Sequence, residues 1–156
     1  MGRNFGNYEL IRKIAEGGMA EIFLARASSI AGFQKLVALK MIHEKYSADQ
    51  EFVSMLIDEA KIAVQLNHAN IAQIFDLGKV DDSYFIALEF VHGKDLRAIF
   101  DRCRAAASAS GAAGEPMPVS MACFCIMKVC EGLDYAHNKK DVHGREIGLV
   151  HRDVSP

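Results

Sequence analysis

Between Tyr8 and Leu39, apolar and polar residues alternate in short runs broken by glycine. YELIRKI and EIFLARA alternate on either side of Gly17-Gly18, and KLVALKMI follows the small-residue turn SSIAGF, so this stretch predicts three strands of an antiparallel meander. Ser47-Ala48-Asp49-Gln50 matches a capping box, in which Ser47 accepts from the first-turn amides and Gln50 reaches back. Phe52, Met55, Glu59, Ile62 and Leu66 follow at helical spacing, which predicts a helix ending near Asn67-His68. IAQIFDLGKV and SYFIALEFV then predict two further strands joined at Asp81-Asp82.

After Gly93 the period changes. GKDLRAIFDRCRA predicts a short helix and SMACFCIMKVCEGLDYAHNK a long, largely apolar one. Between them AAASASGAAGEPMP is rich in small residues that bury little, and residues 104–118 are expected to form a flexible insertion. DVHGREIGLV predicts a turn-bearing segment leading into His151-Arg152-Asp153. The expected class is α+β: a five-stranded antiparallel sheet with one helix inserted after the third strand, over residues 1–91, then helices over 92–156.

Composition narrows the function classes. The 156 residues are 51% hydrophobic and 24% charged, enough for an ordinary folded core. A net charge of −2 supplies no basic field for nucleic acid or an anionic membrane, which favours a small-molecule or protein partner. No uncharged apolar run reaches the length of a membrane span, and Met1-Gly2-Arg3-Asn4-Phe5 lacks the apolar core of a signal peptide. A cytoplasmic location is expected, with tethering of a longer protein left open. Cys103, Cys123, Cys125 and Cys130 contain no CxxC pair and read as buried, reduced thiols. His137, His143 and His151 are spaced by six and eight residues, which matches no helical metal pair.

Three features carry chemistry. Alternation along LVALKMI places Leu36, Ala38, Lys40 and Ile42 on one face, so Lys40 shares a side with apolar neighbours, and Glu59 interrupts the apolar stripe of its helix. Burying each charge alone is costly, so an ion pair between them is expected; both snorkelling to solvent is the alternative. The glycine-bearing turn in IAEGGMAEIFLA is suited to covering phosphates with backbone amides, or is simply a hairpin turn. Asp153, finally, is a residue type that orients a hydroxyl nucleophile and accepts its proton.

In this order, EGGMAEIFLA, VALK, IDEAKIA, LNHANIAQIFDLG, ALEFVHGKDL, GLDYAH and HRD resemble the protein kinase family, and within it the eukaryotic-like Ser/Thr kinases of bacteria. The resemblance runs from Tyr8 to Pro156. It implies ATP and Mg2+ as cofactors, a protein substrate, and transfer of the γ-phosphate to a serine or threonine hydroxyl. It implies that Lys40 holds the α and β phosphates with Glu59 as its helix partner. Ala15, Glu16, Gly17 and Gly18 would lie in the phosphate-covering loop, Ile14 and Ile22 would flank the adenine, and Ala38 would lie against its face. Leu88 falls at the gatekeeper position, with Glu89 and Val91 where backbone meets the adenine edge. Asp153 matches the catalytic aspartate, and Arg152 the residue that answers a phosphorylated activation loop.

Three departures qualify what the resemblance implies. Ala15 and Ala20 stand at the first and third glycine positions of the loop pattern, and Ser155 stands where many Ser/Thr kinases carry a lysine. The catalytic-loop Asn and the DFG Asp that hold the metal in this family are not in the 156 residues, so no metal ligand is expected here. The expectation is a kinase domain cut within its catalytic loop and inactive as such; the alternative is a non-catalytic, pseudokinase-like nucleotide-binding or interaction module.

Overall fold

A computed structural model describes residues 3–28, 34–109 and 117–155. Residues 1–67 with 71–91 form one compact unit, and residues 68–70 with 92–156 form a second. The first contains β1 (Arg3–Phe5), β2 (Tyr8–Glu16), β3 (Ala20–Ser28), β4 (Gln34–Ile42), α1 (Glu44–Ser47), α2 (Gln50–Ala63), β5 (Ile74–Val80) and β6 (Ser83–Glu89). The strands form one sheet in the order β1-β2-β3-β4-β6-β5, antiparallel throughout. The five expected strands are present, and β1 is a sixth. RNF is too short to show alternation, yet it pairs with β2 through a turn at Gly6, whose φ of +55 suits glycine, and buries Phe5.

One face of the sheet carries Leu10, Ala25, Val37, Leu39, Phe85 and Ala87, packed with Phe5 and Tyr8. The Phe85 ring meets Phe5 and Tyr8 edge-on at centroid distances of 5.6 and 5.4 Å. Gly78 sits beside it because a Cβ there would stand 2.7 Å from the ring. Tyr8 donates its hydroxyl to Asp76 Oδ2 at 3.0 Å. Burial, and then this bond, push the phenol from its ordinary 10.0 up to about 12. Folding therefore favours the neutral phenol, and its contribution to stability is whole below pH 10.0 and lost as pH rises through about 12. Urea unfolding of the unmodified chain and Tyr8→Phe should show a stability difference that shrinks across that window. A pH-independent difference would contradict this assignment.

The opposite face packs Ala20, Ile42 and Ile86 against Leu56 of α2. Here two expectations are corrected. The cap of α2 is Asp49, whose Oδ1 accepts from Glu51 and Phe52 amides at 3.0 and 3.2 Å; Ser47 instead ends α1 and its buried Oγ accepts from the Tyr84 amide at 3.3 Å. The buried stripe is Val53, Leu56 and Ala60, not Met55, Glu59 and Ile62, and the helix ends at Ala63. The stripe is offset by one residue, about 100° of rotation, which leaves Met55 and Glu59 exposed.

The second unit contains α3 (Leu96–Ala109) and α4 (Val119–His137). Residues 104–109, expected within a flexible insertion, are the last turns of α3, since alanine is the strongest helix former. Residues 110–116 of that expected insertion lie outside the described residues. Cys123 and Cys130 are exposed, and Cys103 and Cys125 half-buried, against the expectation of buried thiols. The same holds for Phe124 at 56% and Ile126 at 57% exposure: α4 is apolar on more sides than the described part of this unit covers. His68 stacks on Tyr135 at 5.1 Å, and Asn70 Nδ2 donates to Glu131 at 3.1 Å. The turn ahead of the terminal motif is held by Asp141 Oδ1, which accepts from the His143 and Arg145 amides.

Candidate functional site

Cross-strand register builds the site in the first unit. Ile22 pairs with Lys40 and Lys40 with Ile86, while Leu24 pairs with Ala38 and Ala38 with Leu88. Directly opposed residues of antiparallel strands share a face, so Ile22, Ala38, Lys40 and Leu88 stand side by side. All four are half-buried. Leu36, expected on the same face, is 47% exposed near the start of β4.

The β2–β3 turn closes one end of this face. Ala15 pairs with Ile22, and Ile14 sits half-buried in the irregularity between Lys13 and Ala15. Gly17 donates its amide to the Ala20 carbonyl at 2.9 Å, and around Gly18 a Cβ would meet nothing within 4 Å. Glu16 and Glu21 are both bound by Lys13 Nζ, at 2.6 and 2.8 Å. That arrangement pushes the Lys13 ammonium up to about 12 and holds the Glu16 carboxyl below its ordinary range, in each case chiefly through the Lys13–Glu16 hydrogen bond. The acidic side chains on both sides of the β2–β3 turn are thus already paired.

At the other end Glu89 donates its amide to the Gln73 carbonyl at 2.7 Å, and its carboxylate accepts from the Gln73 amide at 3.2 Å. Val91 follows at 65% exposure. The expected Lys40–Glu59 ion pair is not among the pairs the described residues make: Glu59 points away with the exposed side of α2. Asp153 belongs to the second unit. It is exposed, and its amide donates to His151 Nδ1 at 3.2 Å, with Arg152 between them at φ 62, a left-handed conformation uncommon for a residue with a Cβ.

His43, immediately after β4, is a residue of this region that the sequence pattern misses. Its amide donates to the Met19 carbonyl at 3.0 Å, and its ring Nε2 stands 3.2 Å from the Gly17 carbonyl. No local pattern announces that contact, because it exists only once β3 and β4 pair with Ala20 opposite Ile42.

Chemically, three apolar half-buried side chains beside a lysine fit a flat aromatic ring continued by anionic groups. Among the described residues no group of three or more His, Cys, Asp or Glu is placed to hold a metal ion. Among the described residues, no helix is long and apolar enough to cross a membrane.

Residues 8–156 match the protein kinase domain family. The chain is 35% identical over 152 residues to the tyrosine-protein kinase MasK of Myxococcus xanthus, covering 97% of this chain and 22% of that protein. It is 31% identical over 151 residues to the serine/threonine-protein kinase PrkC of Bacillus subtilis, covering 97% of this chain and 20% of that protein. The crystal structure of the Mycobacterium tuberculosis PknI kinase domain superposes with a TM-score of 0.69 at 29% identity, covering 99% of this chain and 54% of that one. The chain thus spans about a fifth of those curated relatives and about half of the PknI chain.

Proposed function

This chain belongs to the protein kinase domain family, and from that premise we propose that it carries the nucleotide-holding half of an ATP-dependent protein kinase. Residues 1–91 are its nucleotide lobe, and residues 92–156 are the hinge end and first helices of its substrate lobe. The observation that carries this reading is the shared half-buried face of Ile22, Ala38, Lys40 and Leu88. Ile22, Ala38 and Leu88 pack on the adenine with Ile14, the backbone at Glu89 and Val91 meets its edge, and Lys40 pairs with the phosphates as a point charge. Ala15, Glu16, Gly17 and Gly18 lie over those phosphates. Asp153 takes the proton of the acceptor hydroxyl as its oxygen bonds to the γ-phosphorus and the bond to the β-phosphate oxygen breaks. Glu59 partners Lys40 only after α2 turns about its axis.

The acceptor is a serine or threonine hydroxyl of a protein. PrkC is named for that chemistry, whereas MasK is named a tyrosine kinase. Phosphoamino-acid analysis of protein labelled by a kinase containing this chain is expected to return phosphoserine or phosphothreonine, and phosphotyrosine alone would overturn the preference.

A second, non-catalytic reading is favoured by the separation of Glu59 from Lys40. On either reading the 156-residue chain by itself is expected to transfer no phosphate, since the catalytic-loop Asn and DFG Asp that hold the metal in this family are not among its residues. Radiolabel transfer from ATP that Asp153→Asn abolishes would show otherwise.

A further inference from the structure

Three backbone groups of the β2–β3 turn are held. The Gly17 amide is bound by the Ala20 carbonyl, the Met19 carbonyl by the His43 amide, and the Gly17 carbonyl by the His43 ring. The first two continue the ladder of paired strands and would survive any side chain at position 43. The third depends on the imidazole alone. A carbonyl only accepts, so at 3.2 Å the ring bonds it through a proton on Nε2. The contact spans 26 positions of sequence and ties the end of β4, the strand that carries Lys40, to the glycine turn.

That turn has much freedom to lose. Consecutive glycines at 17 and 18 pay more backbone entropy on ordering than any other pair, and Gly18 has open space around it. A ligand that orders the turn as it binds is weakened by that cost, and an anchor already present in the unliganded chain removes part of it. We infer that His43 is a positioning residue, holding the glycine turn in register with Lys40 so that the turn is already formed when a nucleotide's phosphates arrive. This inference rests on the nucleotide reading above.

The test is a calorimetric titration of the full chain with ATP and, separately, with adenosine. Adenosine lacks the phosphates the turn covers, so His43→Ala is expected to weaken ATP about two- to tenfold, the range of one neutral hydrogen bond, and to leave adenosine unchanged. His43→Gln, whose amide nitrogen donates to the same carbonyl, is expected to restore most of the loss. Amide hydrogen exchange at Gly17, whose amide the turn holds, is expected to quicken in His43→Ala and return in His43→Gln. If the unmodified chain binds ATP no better than adenosine, the nucleotide reading fails first. If it discriminates and His43→Ala discriminates equally, or exchange at the turn is unchanged, the tether alone is overturned. Equal losses for both ligands in His43→Ala would mark a role in folding and would also overturn it.

Discussion

Leu39→Ala is expected to lower the unfolding free energy of the chain by about 2–5 kcal/mol, toward the upper end of that range. Leu39 is 0% exposed and stands opposite Phe23 on one side and Ala87 on the other, at the centre of a sheet whose β4 is bonded on both edges. Its neighbours Ala25, Val37, Phe85 and Ala87 are themselves buried, and the ladders hold their backbones in place. The space left by three removed carbons therefore stays open, and both the lost burial and the cavity count against the folded state. Leu36, three residues earlier on the same strand, is 47% exposed, and its replacement by alanine is expected to cost under about 1 kcal/mol. Urea unfolding followed by circular dichroism measures both. A Leu36→Ala loss equal to that of Leu39→Ala would mean that the assigned core face is wrong.

Lys40→Met is expected to weaken ATP binding about 10- to 150-fold, the equivalent of about 1.5–3 kcal/mol for a hydrogen bond to a charged group, with adenosine affinity held within about twofold. Methionine keeps the length and most of the volume of the lysine stem, and the position is half-buried beside Ile22 and Ile86, so the apolar face survives the change. What disappears is the ammonium. The same titration on Glu59→Ala is expected to match the unmodified chain, because Glu59 is exposed on α2 and not paired with Lys40. A Glu59→Ala loss as large as that of Lys40→Met would show that the pair forms in solution. Equal loss of ATP and adenosine in Lys40→Met would remove Lys40 from the phosphate role.

Elements whose signal is local are legible in the amino-acid sequence. Period-two alternation placed β2, β3 and β4 and put Ala38, Lys40 and Ile42 on one face, because successive side chains of a strand point to opposite sides whatever the strand packs against. Gly17-Gly18 between two alternating runs placed the turn. Asp81-Asp82 placed another, and Asp81 takes the positive φ of 53 that Asp tolerates better than most residues. The alternation left undecided which face is deeper: Val37 and Leu39, opposite the face with Lys40, are the fully buried pair.

The helix shows why the rest needed tertiary structure. On α2 the sets Phe52, Met55, Glu59 and Val53, Leu56, Ala60 have nearly the same spacing and differ by one residue, so hydrophobic period alone separates them poorly. What chooses is the surface offered by Ala20, Ile42 and Ile86, onto which Leu56 packs, and that choice turns Glu59 outward. Ser47 and Asp49 compete for one cap in the same way, and the Tyr84 amide, distant in sequence, decides by taking the Ser47 hydroxyl. The chain's own letters therefore determined five of its six strands, its glycine turn and the side of the sheet on which Lys40 stands, since these follow from backbone geometry over a few residues. The rotation of α2, the depth of the Leu39 face and the contact of His43 with Gly17 were decided by tertiary packing, because each depends on partners brought together only when the sheet closes its register.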